Sequence, residues 1–415
     1  MASIPVLTQL LTCPRRFFLR PRMRTGCLFL WGLAAQIEGG GRAEDCWTRF
    51  RGPNGAGVSN ATTVPVQWTA ADYNWVIDLP GVGHSSPVVW RERVFVTCGD
   101  PETAERMLLC LHADDGRTLW RHDFPSKPYG QHASSCYATA TPAVDAQGVV
   151  TTWTTPEAVV LIAHDLAGQE MWRRELGPYV GMNGSGASPI LVGDQVVLAN
   201  EQDDGRFLSR IATGTENPDA PVGKGSILAL DRQTGVIRWE LPRTTALASY
   251  ATPCVRATPA GTSELILTGT AHGVTGVDLA TGEVRWEIPD VFPERCVGSP
   301  VLAGDLVVAG FGRGVHGSVC VAARAGKSGR GDATTLAFQV DKGVPLVPTP
   351  VAYRGLLFLW ADAGVVTCLD AASGKLHWRE RVGGGLLQFA DLRERTAVRH
   401  CKKRRCHGRR GLQRF

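Results

Sequence analysis

One motif, Gly-x-x-x-Trp, recurs five times at a fixed internal spacing and constrains the fold of this chain more than any other feature. Three copies also carry an Asp four residues before the glycine, at Asp231, Asp278 and Asp370. The glycine and tryptophan pairs are Gly116/Trp120, Gly168/Trp172, Gly235/Trp239, Gly282/Trp286 and Gly374/Trp378. Copies at one offset indicate a protein built from repeated structural units.

A second signature, Ser or Thr followed by Pro and apolar residues, runs ahead of the first. Its six copies are Ser86-Pro87, Thr141-Pro142, Ser188-Pro189, Thr252-Pro253, Ser299-Pro300 and Thr349-Pro350. Consecutive prolines are 55, 47, 64, 47 and 50 residues apart, a period typical of four-stranded propeller blades. The sequence therefore predicts an all-β fold, a β-propeller of four-stranded blades.

The last repeat shows four strand patterns separated by turn residues. They run from Val351 to Tyr353, Leu356 to Trp360, Val365 to Leu369 and Leu376 to Arg381. Pro lacks an N–H and is tolerated at the first residue of a strand, and Gly supplies the positive φ of the turn before the fourth strand. The large flat Trp of each fourth strand is predicted to dock one blade on its neighbour. Stacking of a ligand on these Trp residues is the less favoured interpretation.

Two aromatic residues extend the docking set beyond the five Trp copies. The fifth repeat, which begins at Ser299-Pro300, contains the stretch from Gly331 to Phe338, with Phe338 where a Trp is expected. Trp75 lies in residues 74–79, which resemble an isolated fourth strand. We therefore predict six full blades and a split seventh whose C-terminal half is missing after Arg381. The hypothesis that follows is a C-terminus truncated or frameshifted relative to a seven-bladed propeller.

The two ends of the chain differ in composition from its middle. Nine apolar residues, Cys27 to Ala35, follow several arginines and precede Gly41-Arg42-Ala43, which is a signal-peptide layout and too short to span a bilayer. We expect an export region at 1–43, the propeller at 44–390 and a basic tail, disordered or out of frame, at 391–415. A chance apolar segment in a wrongly assigned N-terminus is the alternative to export.

The positive charge of the chain is concentrated at its ends. Residues 391–415 carry a net charge of +8 and residues 1–45 carry +3, which leaves about −6 for the middle of a chain whose total is +5. A mildly acidic body lacks the basic surface that nucleic-acid binding requires, so no nucleic-acid partner is predicted. In the tail, His400-Cys401 and Cys406-His407 bracket four cationic residues and do not fit a zinc spacing.

No set of residues forms a convincing catalytic site. The third repeat is the longest, and its surplus lies between Glu201 and Lys224. Glu201, Asp203 and Asp204 are weak metal candidates, because carboxylates are ligands that Ca²⁺ prefers. The segment lacks the Asp-x-Asp-x-Asp-Gly spacing of a preformed calcium site, so a solvated insertion is the favoured interpretation.

Other reactive residue types also have structural interpretations. His84 to Ser86 and His132 to Ser135 combine His with Ser, but both segments lead into a first strand, so loop hydrogen bonds are favoured over a nucleophile. Cys98 and Cys110 flank one hairpin and are the best disulfide candidates in an exported protein. Cys110 and Cys368 share a register typical of small buried residues, which favours inert thiols there.

The repeats from Ala229 to Trp239 and from Asp278 to Trp286 resemble the pyrroloquinoline-quinone-like propeller repeat, over about residues 47 to 382. Phe50 to Gly55 and Gly83 to Pro87 are similar to stretches in exported bacterial members of that family. The resemblance implies one of two functions. One branch comprises quinone-dependent dehydrogenases with a calcium ion, a catalytic Asp and, in many members, a disulfide between adjacent cysteines. The other is similar to the outer-membrane-barrel assembly propeller, which binds proteins and no cofactor.

The cysteine and carboxylate patterns of this chain favour the second branch. The chain has no Cys-Cys dipeptide, and neither a calcium-binding set nor the catalytic Asp can be matched to its residues. The resemblance then implies a monomeric periplasmic or cell-envelope module that binds an envelope protein or surface polymer and has no catalysis of its own. The alternative is a pyrroloquinoline-quinone-dependent alcohol or sugar dehydrogenase with Ca²⁺.

Overall fold

Strands make up nearly all the regular structure of the computed structural model, as the repeats predict. The structure describes residues 46–61, 67–132, 135–312, 317–326, 329–330, 336–382, 390–393 and 396–399. The predicted export region at 1–43 and the tail from residue 400 onward lie outside the described residues. Two short strands, β1 (Cys46–Trp47) and β2 (Val58–Ser59), precede the blades.

Six antiparallel four-stranded sheets follow, one for each predicted repeat, which confirms the propeller fold. Blades one to three consist of β3 (Val88–Trp90), β4 (Arg93–Gly99), β5 (Arg106–His112) and β6 (Thr118–Phe124); β7 (Ala143–Val144), β8 (Val149–Thr154), β9 (Val159–His164) and β10 (Glu170–Glu175); and β11 (Ile190–Val192), β12 (Gln195–Asn200), β13 (Gly225–Asp231) and β14 (Ile237–Arg243). The helix α1 (Gly205–Thr213) lies between β12 and β13.

Blades four to six repeat the same strand order. They consist of β15 (Cys254–Ala257), β16 (Ser263–Gly269), β17 (Gly273–Asp278) and β18 (Val284–Ile288); β19 (Val301–Ala303), β20 (Leu306–Gly312), β21 (Ser318–Arg324) and, after β22 (Gly329–Arg330), β23 (Leu336–Val340); and β24 (Val351–Tyr353), β25 (Leu356–Trp360), β26 (Val365–Asp370) and β27 (Leu376–Arg381). Two additional strands widen blades: β1 pairs antiparallel with β3, and β22 pairs in parallel with β18.

The hydrophobic core lies between successive blades. Second and third strands are buried on both faces, so β13 is a run of buried residues from Gly225 to Leu230. One core cluster joins Leu161 of blade two to Leu198 and Leu228 of blade three. Fourth strands are buried on one face only, which explains why they carry one large aromatic residue among polar neighbours.

Trp120, Trp172 and Trp239 each lie over the repeat glycine of the following blade. A Cβ placed on Gly235 would lie 2.6 Å from Trp172 Cδ2, and one placed on Gly282 would lie 2.7 Å from Trp239 Cδ2. The indole N–H of Trp172 also donates to Arg232 O, at 3.0 Å, in the turn that it covers. The same overlap occurs in the pairs Trp75/Gly116 and Trp120/Gly168.

The aromatic residue of blade four covers a different glycine. Trp286 lies over Gly326, where an added Cβ would be 2.9 Å from Trp286 Cγ. Its indole N–H donates to Glu264 Oε2 of its own blade at 3.1 Å. Gly331 and the four residues after it lie outside the described residues. The connection between the third and fourth strands of blade five is longer than in the other blades, which alters what Trp286 contacts.

Blades five and six complete the docking set. Phe338 occupies the position of the repeat Trp and lies over Gly374, where an added Cβ would be 2.5 Å from Phe338 Cδ2. Trp378 packs within its own blade, with its ring centroid 6.3 Å from that of Phe358. The Phe substitution therefore keeps the contact with glycine while losing the indole donor.

The Ser or Thr of the second signature joins the inner strands of neighbouring blades. The N–H of Ser188 donates to Thr252 Oγ1 at 3.1 Å, and the N–H of Thr252 donates to Ser299 Oγ at 3.0 Å. Equivalent bonds join Ser86 to Thr141, Thr141 to Ser188 and Ser299 to Thr349. These six residues form a hydroxyl chain that links all six blades.

Strands also follow blade six. β2 pairs in parallel with β28 (Ala390–Arg393), which pairs antiparallel with β29 (Thr396–Arg399). Arg393 lies opposite Thr396, the register that Tyr353 and Leu356 have in the first hairpin of blade six. The predicted boundary between the propeller and its tail falls within β28. The described residues form no four-stranded seventh blade, but two strands lie after Arg381.

The expectation of a strand at residues 74–79 is wrong. This segment has no strand structure, although the indole N–H of Trp75 donates to Ala113 O at 2.8 Å. Ile77 and Leu79 pack against the core of blade one. No neighbouring third strand pairs with the segment in the described part of the chain, so its side chains dock without a backbone ladder.

The overlap between Trp172 and Gly235 predicts a specific cost for adding a methyl group. Gly235→Ala combines a φ of +66° with the Trp172 overlap, whereas Gly193→Ala has a similar φ of +58° and open space around it. We expect Gly235→Ala to lower the free energy of unfolding by about 1–3 kcal/mol more than Gly193→Ala. Denaturant titration of both variants measures the difference, and equal losses would contradict blade docking through this contact.

Candidate functional site

Antiparallel strand order gives each blade two different ends. Connections from second to third strands, and from each fourth strand to the next blade, lie at one end, which we call the loop face. Turns from first to second and from third to fourth strands lie at the other end, the turn face. The repeat glycines belong to the turn face, and the long insertion with α1 belongs to the loop face.

The segment from Cys46 to Ser59 crosses the axis of the propeller. Cys46 lies opposite Trp90 in blade one, and Thr48 O accepts from the N–H of Val144 in blade two. Further along, Asn54 exchanges two hydrogen bonds, of 2.7 and 2.8 Å, with the backbone of Val255 in blade four. Because inner strands surround the axis, a segment that contacts several of them fills the channel between them.

Two buried arginines anchor this channel segment. Arg49 Nη2 donates to Pro253 O at 2.5 Å, and Arg51 Nη2 donates to Pro350 O at 2.9 Å. Burial lowers the pKa of Arg49 to about 10. Both side chains therefore donate to the carbonyl group of a proline that comes directly after a Thr of the hydroxyl chain.

Glu201, the first weak metal candidate, is buried at the start of the blade-three insertion. Its Oε1 accepts from Arg243 Nε at 3.2 Å, and its Oε2 accepts from the N–H of Ser249 at 2.9 Å. The side chains of Glu201 and Arg243 are 3% and 1% exposed. Arg243 also donates to Thr275 Oγ1 at 3.3 Å, which extends the contact to blade four. The buried Glu201 carboxylate is therefore paired with the Arg243 guanidinium and with the backbone amide of Ser249.

Asp203 joins three connections on the loop face. Its carboxylate accepts from the N–H groups of Ala248 at 2.6 Å and Met182 at 3.0 Å. Arg295 Nη2 lies 3.0 Å from Asp203 Oδ1, and the guanidinium lies 4.7 Å from the Tyr250 ring centroid. The carboxylate thereby fixes the connections after blades two, three and four relative to one another.

Asp204 has a local role. Its side chain caps α1 by accepting from the N–H of Arg206 at 2.9 Å, and it pairs with the Arg206 guanidinium at 2.8 Å. This bonding lowers the pKa of Asp204 below its usual value, first through the Arg206 side chain. The three weak metal candidates are adjacent in sequence but serve different contacts.

The donor set does not fit the calcium and quinone pair of the dehydrogenase branch. Calcium takes roughly six to eight oxygen ligands, whereas Glu201 and Asp203 already accept from arginines and amides. No cluster of three or more His, Cys, Asp or Glu in the described part of the chain could hold a metal ion. We therefore derive no step through a quinone or a metal.

The His and Ser segments form loop hydrogen bonds. The N–H of His84 donates to Ala138 O at 3.0 Å, Ser85 Oγ donates to Thr97 O at 2.9 Å, and Ser86 belongs to the hydroxyl chain. In the second segment, the N–H of Ser135 donates to His132 O at 2.8 Å, and Ser134 lies outside the described residues.

The candidate disulfide between Cys98 and Cys110 is not formed. Cys98 lies opposite Met107 and Cys110 lies opposite Phe95 across the hairpin, so the two thiols are not partners. Both are free and buried. Burial raises the pKa of Cys98 to about 11 and that of Cys110 to about 12, which keeps both thiols protonated and unreactive at neutral pH.

A pair of stacked imidazoles lies between blades one and two, and the sequence analysis did not single it out. The rings of His122 and His164 are stacked, with centroids 4.6 Å apart. His164 is 1% exposed, and burial, followed by the charge of His122, lowers its pKa to about 4. Glu170 and Asp165 act in the opposite direction, and Arg173 adds to the lowering.

Comparison with known proteins places the fold in a family. The model of the family described as outer membrane protein assembly factor BamB matches residues 54–224 and 212–347. The chain belongs to this family. A search of curated proteins finds no match.

Solved structures similar to this chain include both functional branches of the propeller. BamB from Moraxella catarrhalis is 16% identical, with a TM-score of 0.53 over 80% of this chain and 84% of that one. Quinohemoprotein alcohol dehydrogenase from Comamonas testosteroni is 12% identical, with a TM-score of 0.60 over 85% of this chain and 76% of that one. At such identities the similarity establishes the fold and not the activity.

The described residues contain no helix that is long and apolar enough to cross a bilayer.

The pairing of Glu201 with Arg243 predicts a large effect of removing one charge. Glu201→Gln leaves the buried guanidinium without its counter-charge, so we expect the free energy of unfolding to fall by about 3 kcal/mol. Asp194→Asn is the matched control, because Asp194 is 74% exposed beside Arg238, and it should lower the free energy of unfolding far less than Glu201→Gln does. Urea unfolding of both variants tests this, and a small loss for Glu201→Gln would contradict the role assigned to the pair.

The low pKa of His164 predicts that acid destabilises the protein. Since the pKa is about 4 in the folded state and about 6.5 in the unfolded state, unfolding takes up a proton between these values. The free energy of unfolding should fall by up to about 3 kcal/mol from pH 6.5 to pH 4. His164→Gln should flatten this slope, and His377→Gln at an exposed site should not. An unchanged slope in His164→Gln would contradict the assignment.

Proposed function

We propose that this chain is an exported, periplasmic, monomeric scaffold that binds an envelope protein through its loop face and has no catalysis of its own. The observation that carries the proposal is the pairing of the loop-face carboxylates. Glu201 and Asp203 are neutralised by Arg243 and Arg295, and they accept from amides of neighbouring connections. Such bonding supports a rigid surface rather than a reactive one.

A projection from this surface offers the contact area. It consists of residues 203–224, which include α1, and it is closed at its base by the N–H of Gly205 donating to Pro221 O at 2.9 Å. Asp204 and Val222 form a β-bridge, and Asp203 holds the N–H of Met182 next to the projection. The insertion that lengthens the third repeat is therefore an ordered element.

Exposed apolar side chains lie on and beside the projection. Met182, Ile211 and Val222 are 48%, 45% and 43% exposed. Apolar residues on a supported surface are a feature of protein interfaces. Arg206 is paired with Asp204, whereas Arg210 lies on α1 with no acidic residue among the nine positions of the helix, which favours a partner with apolar residues beside a carboxylate.

Membership of the BamB family supports a protein partner in the envelope, because the family is described as an outer membrane protein assembly factor. The quinone-dependent dehydrogenase alternative has similar solved structures but no matching donor set among the described residues. We therefore propose the scaffold role alone.

Substitution of Ile211 tests the proposed surface. Immobilised protein with Ile211→Glu should capture its envelope partner from a detergent extract about tenfold less than the unsubstituted protein, since a charge replaces an apolar contact. Val284→Glu is the matched control, because Val284 is 44% exposed on β18 beside the turn face, and it should capture normally. Quantitative mass spectrometry of the captured proteins is the measurement.

Two results would overturn the proposal. If Ile211→Glu and Val284→Glu reduced capture equally, or if neither reduced it, the loop face would not be the binding surface. Pyrroloquinoline quinone and Ca²⁺ can be added to the purified protein. Stoichiometric binding, measured by cofactor absorbance, together with dye-linked alcohol oxidation would establish the enzyme alternative instead.

A further inference from the structure

The inner strands of the six blades supply no carboxylate to the propeller axis. Neither Asp nor Glu occurs in β3, β7, β11, β15, β19 or β24, or in the four residues before each of these strands. The channel segment nevertheless brings the guanidinium groups of Arg49 and Arg51 to this axis, where the two residues are 6% and 3% exposed. Positive charge is therefore buried at the axis among blades that offer it no counter-charge.

Arg49 makes few hydrogen bonds for a buried cation. Its Nη2 donates to Pro253 O, and this is the one hydrogen bond that the guanidinium makes with the described residues. Its Nε is buried and has no acceptor among them. A guanidinium carries several N–H donors, so most of those of Arg49 lack an acceptor. A buried Arg is normally paired with an anion, which makes this one an exception.

The surroundings of Arg49 leave it charged without compensating the charge. Burial lowers its pKa to about 10, so the side chain is still a cation at neutral pH. The titratable group that acts on it is the Cys254 thiol, and burial raises the pKa of this thiol to about 12. The thiol is therefore protonated at neutral pH. Within the described part of the chain, no negative charge balances Arg49.

The hydroxyl chain contributes a second set of donors around the axis. Five of its hydroxyls are buried, accept one backbone N–H each and donate to no acceptor among the described residues. They belong to Thr141, Ser188, Thr252, Ser299 and Thr349. A hydroxyl that accepts a hydrogen bond still has its own proton to donate. The axis is therefore rich in donors and poor in acceptors.

The guanidinium of Arg49 lies toward the loop-face end of the channel. Thr48 O accepts from the N–H of Val144, the last residue of β7, so the backbone of the channel segment lies at the turn-face ends of inner strands. Arg49 instead reaches Pro253, the residue directly before β15 and directly after Thr252 of the hydroxyl chain. A ligand that pairs with Arg49 therefore approaches from the loop face.

The chemistry of the donors indicates the class of ligand. Guanidinium N–H and hydroxyl O–H groups are donors that bind phosphate oxygens, and a buried cation favours an anion. A tetrahedral oxyanion presents acceptors on every side, which suits donors arranged around an axis, whereas a carboxylate presents its oxygens in one plane. We propose that Arg49 and the hydroxyl chain form an axial site for a tetrahedral oxyanion of the phosphate or sulfate class. The site is argued from residues that the scaffold proposal does not use.

Thermal unfolding in phosphate tests the axial site. In about 50 mM phosphate, the Tm should rise by about 3 °C or more relative to chloride at equal ionic strength and pH, because a ligand bound by the folded protein stabilises it. Arg49→Gln should lose most of this rise. Arg117→Gln is the control, because the Arg117 side chain is 59% exposed, and it should keep the rise. Phosphate also stabilises proteins in general, but both variants share that effect.

Phosphorus NMR of the unsubstituted protein provides a second measurement that does not depend on the folding of Arg49→Gln. The signal of inorganic phosphate should broaden at millimolar concentration, and Arg49→Lys, which keeps the charge, should retain part of the Tm rise. Broadening of glycerol 3-phosphate as well would assign the site to a phosphate group of a larger molecule, and broadening of inorganic phosphate alone would assign it to the free ion. An equal Tm rise in Arg49→Gln and Arg117→Gln, or no broadening of either compound, would overturn the proposal.

Discussion

The hydrogen bond from each inner Ser or Thr amide to the hydroxyl of the next blade is the interaction on which the rest of the structure depends. Each of these amides is the last N–H before a Pro, where the chain enters the inner strand. The hydroxyls of Thr141, Ser188, Thr252, Ser299 and Thr349 are buried, so each bond replaces water at a position where an unpaired amide would be costly. The blades are thereby joined at the axis, and the Trp and Gly contacts join them farther out.

The channel segment and the loop-face ion pairs act on opposite sides of this chain of hydroxyls. Arg49 and Arg51 bind carbonyl groups of Pro253 and Pro350, each the residue immediately after a hydroxyl-chain Thr. On the other side, Asp203 gathers the connections that lead into the inner strands of blades three, four and five. The position of the loop face therefore depends on the inner strands, and its shape depends on two buried carboxylates.

Repetition explains how much of this fold could be predicted from the sequence. Gly235 and Trp172 recur in register with other repeats, so their turn and aromatic roles follow from pattern alone. The hydroxyl role was missed, although Ser or Thr precedes Pro in all six copies, because a bond between blades has no local signal. Residues 74–79 were wrongly predicted to form a strand. A strand needs a neighbouring strand with which to pair, and the pattern of one segment does not reveal whether that strand is present.

The candidate site was less predictable than the fold. The acidic residues of the third repeat were found by composition, but their partners come from elsewhere: Arg243 is 42 residues from Glu201, and Arg295 lies in the connection after blade four. How these residues come together depends on the arrangement of the blades around the axis. The repeat pattern in the sequence does not reveal that arrangement.

Hydrogen exchange at the hydroxyl chain tests the account most directly. If these bonds join the six blades into one cooperative unit, the amides of Thr141, Ser188, Thr252 and Ser299 should exchange only through global unfolding. Their exchange free energies should then agree with the free energy of unfolding within about 1 kcal/mol. Exchange of any of these amides at the rate of exposed loop amides, or separate values for blades one to three and four to six, would contradict it.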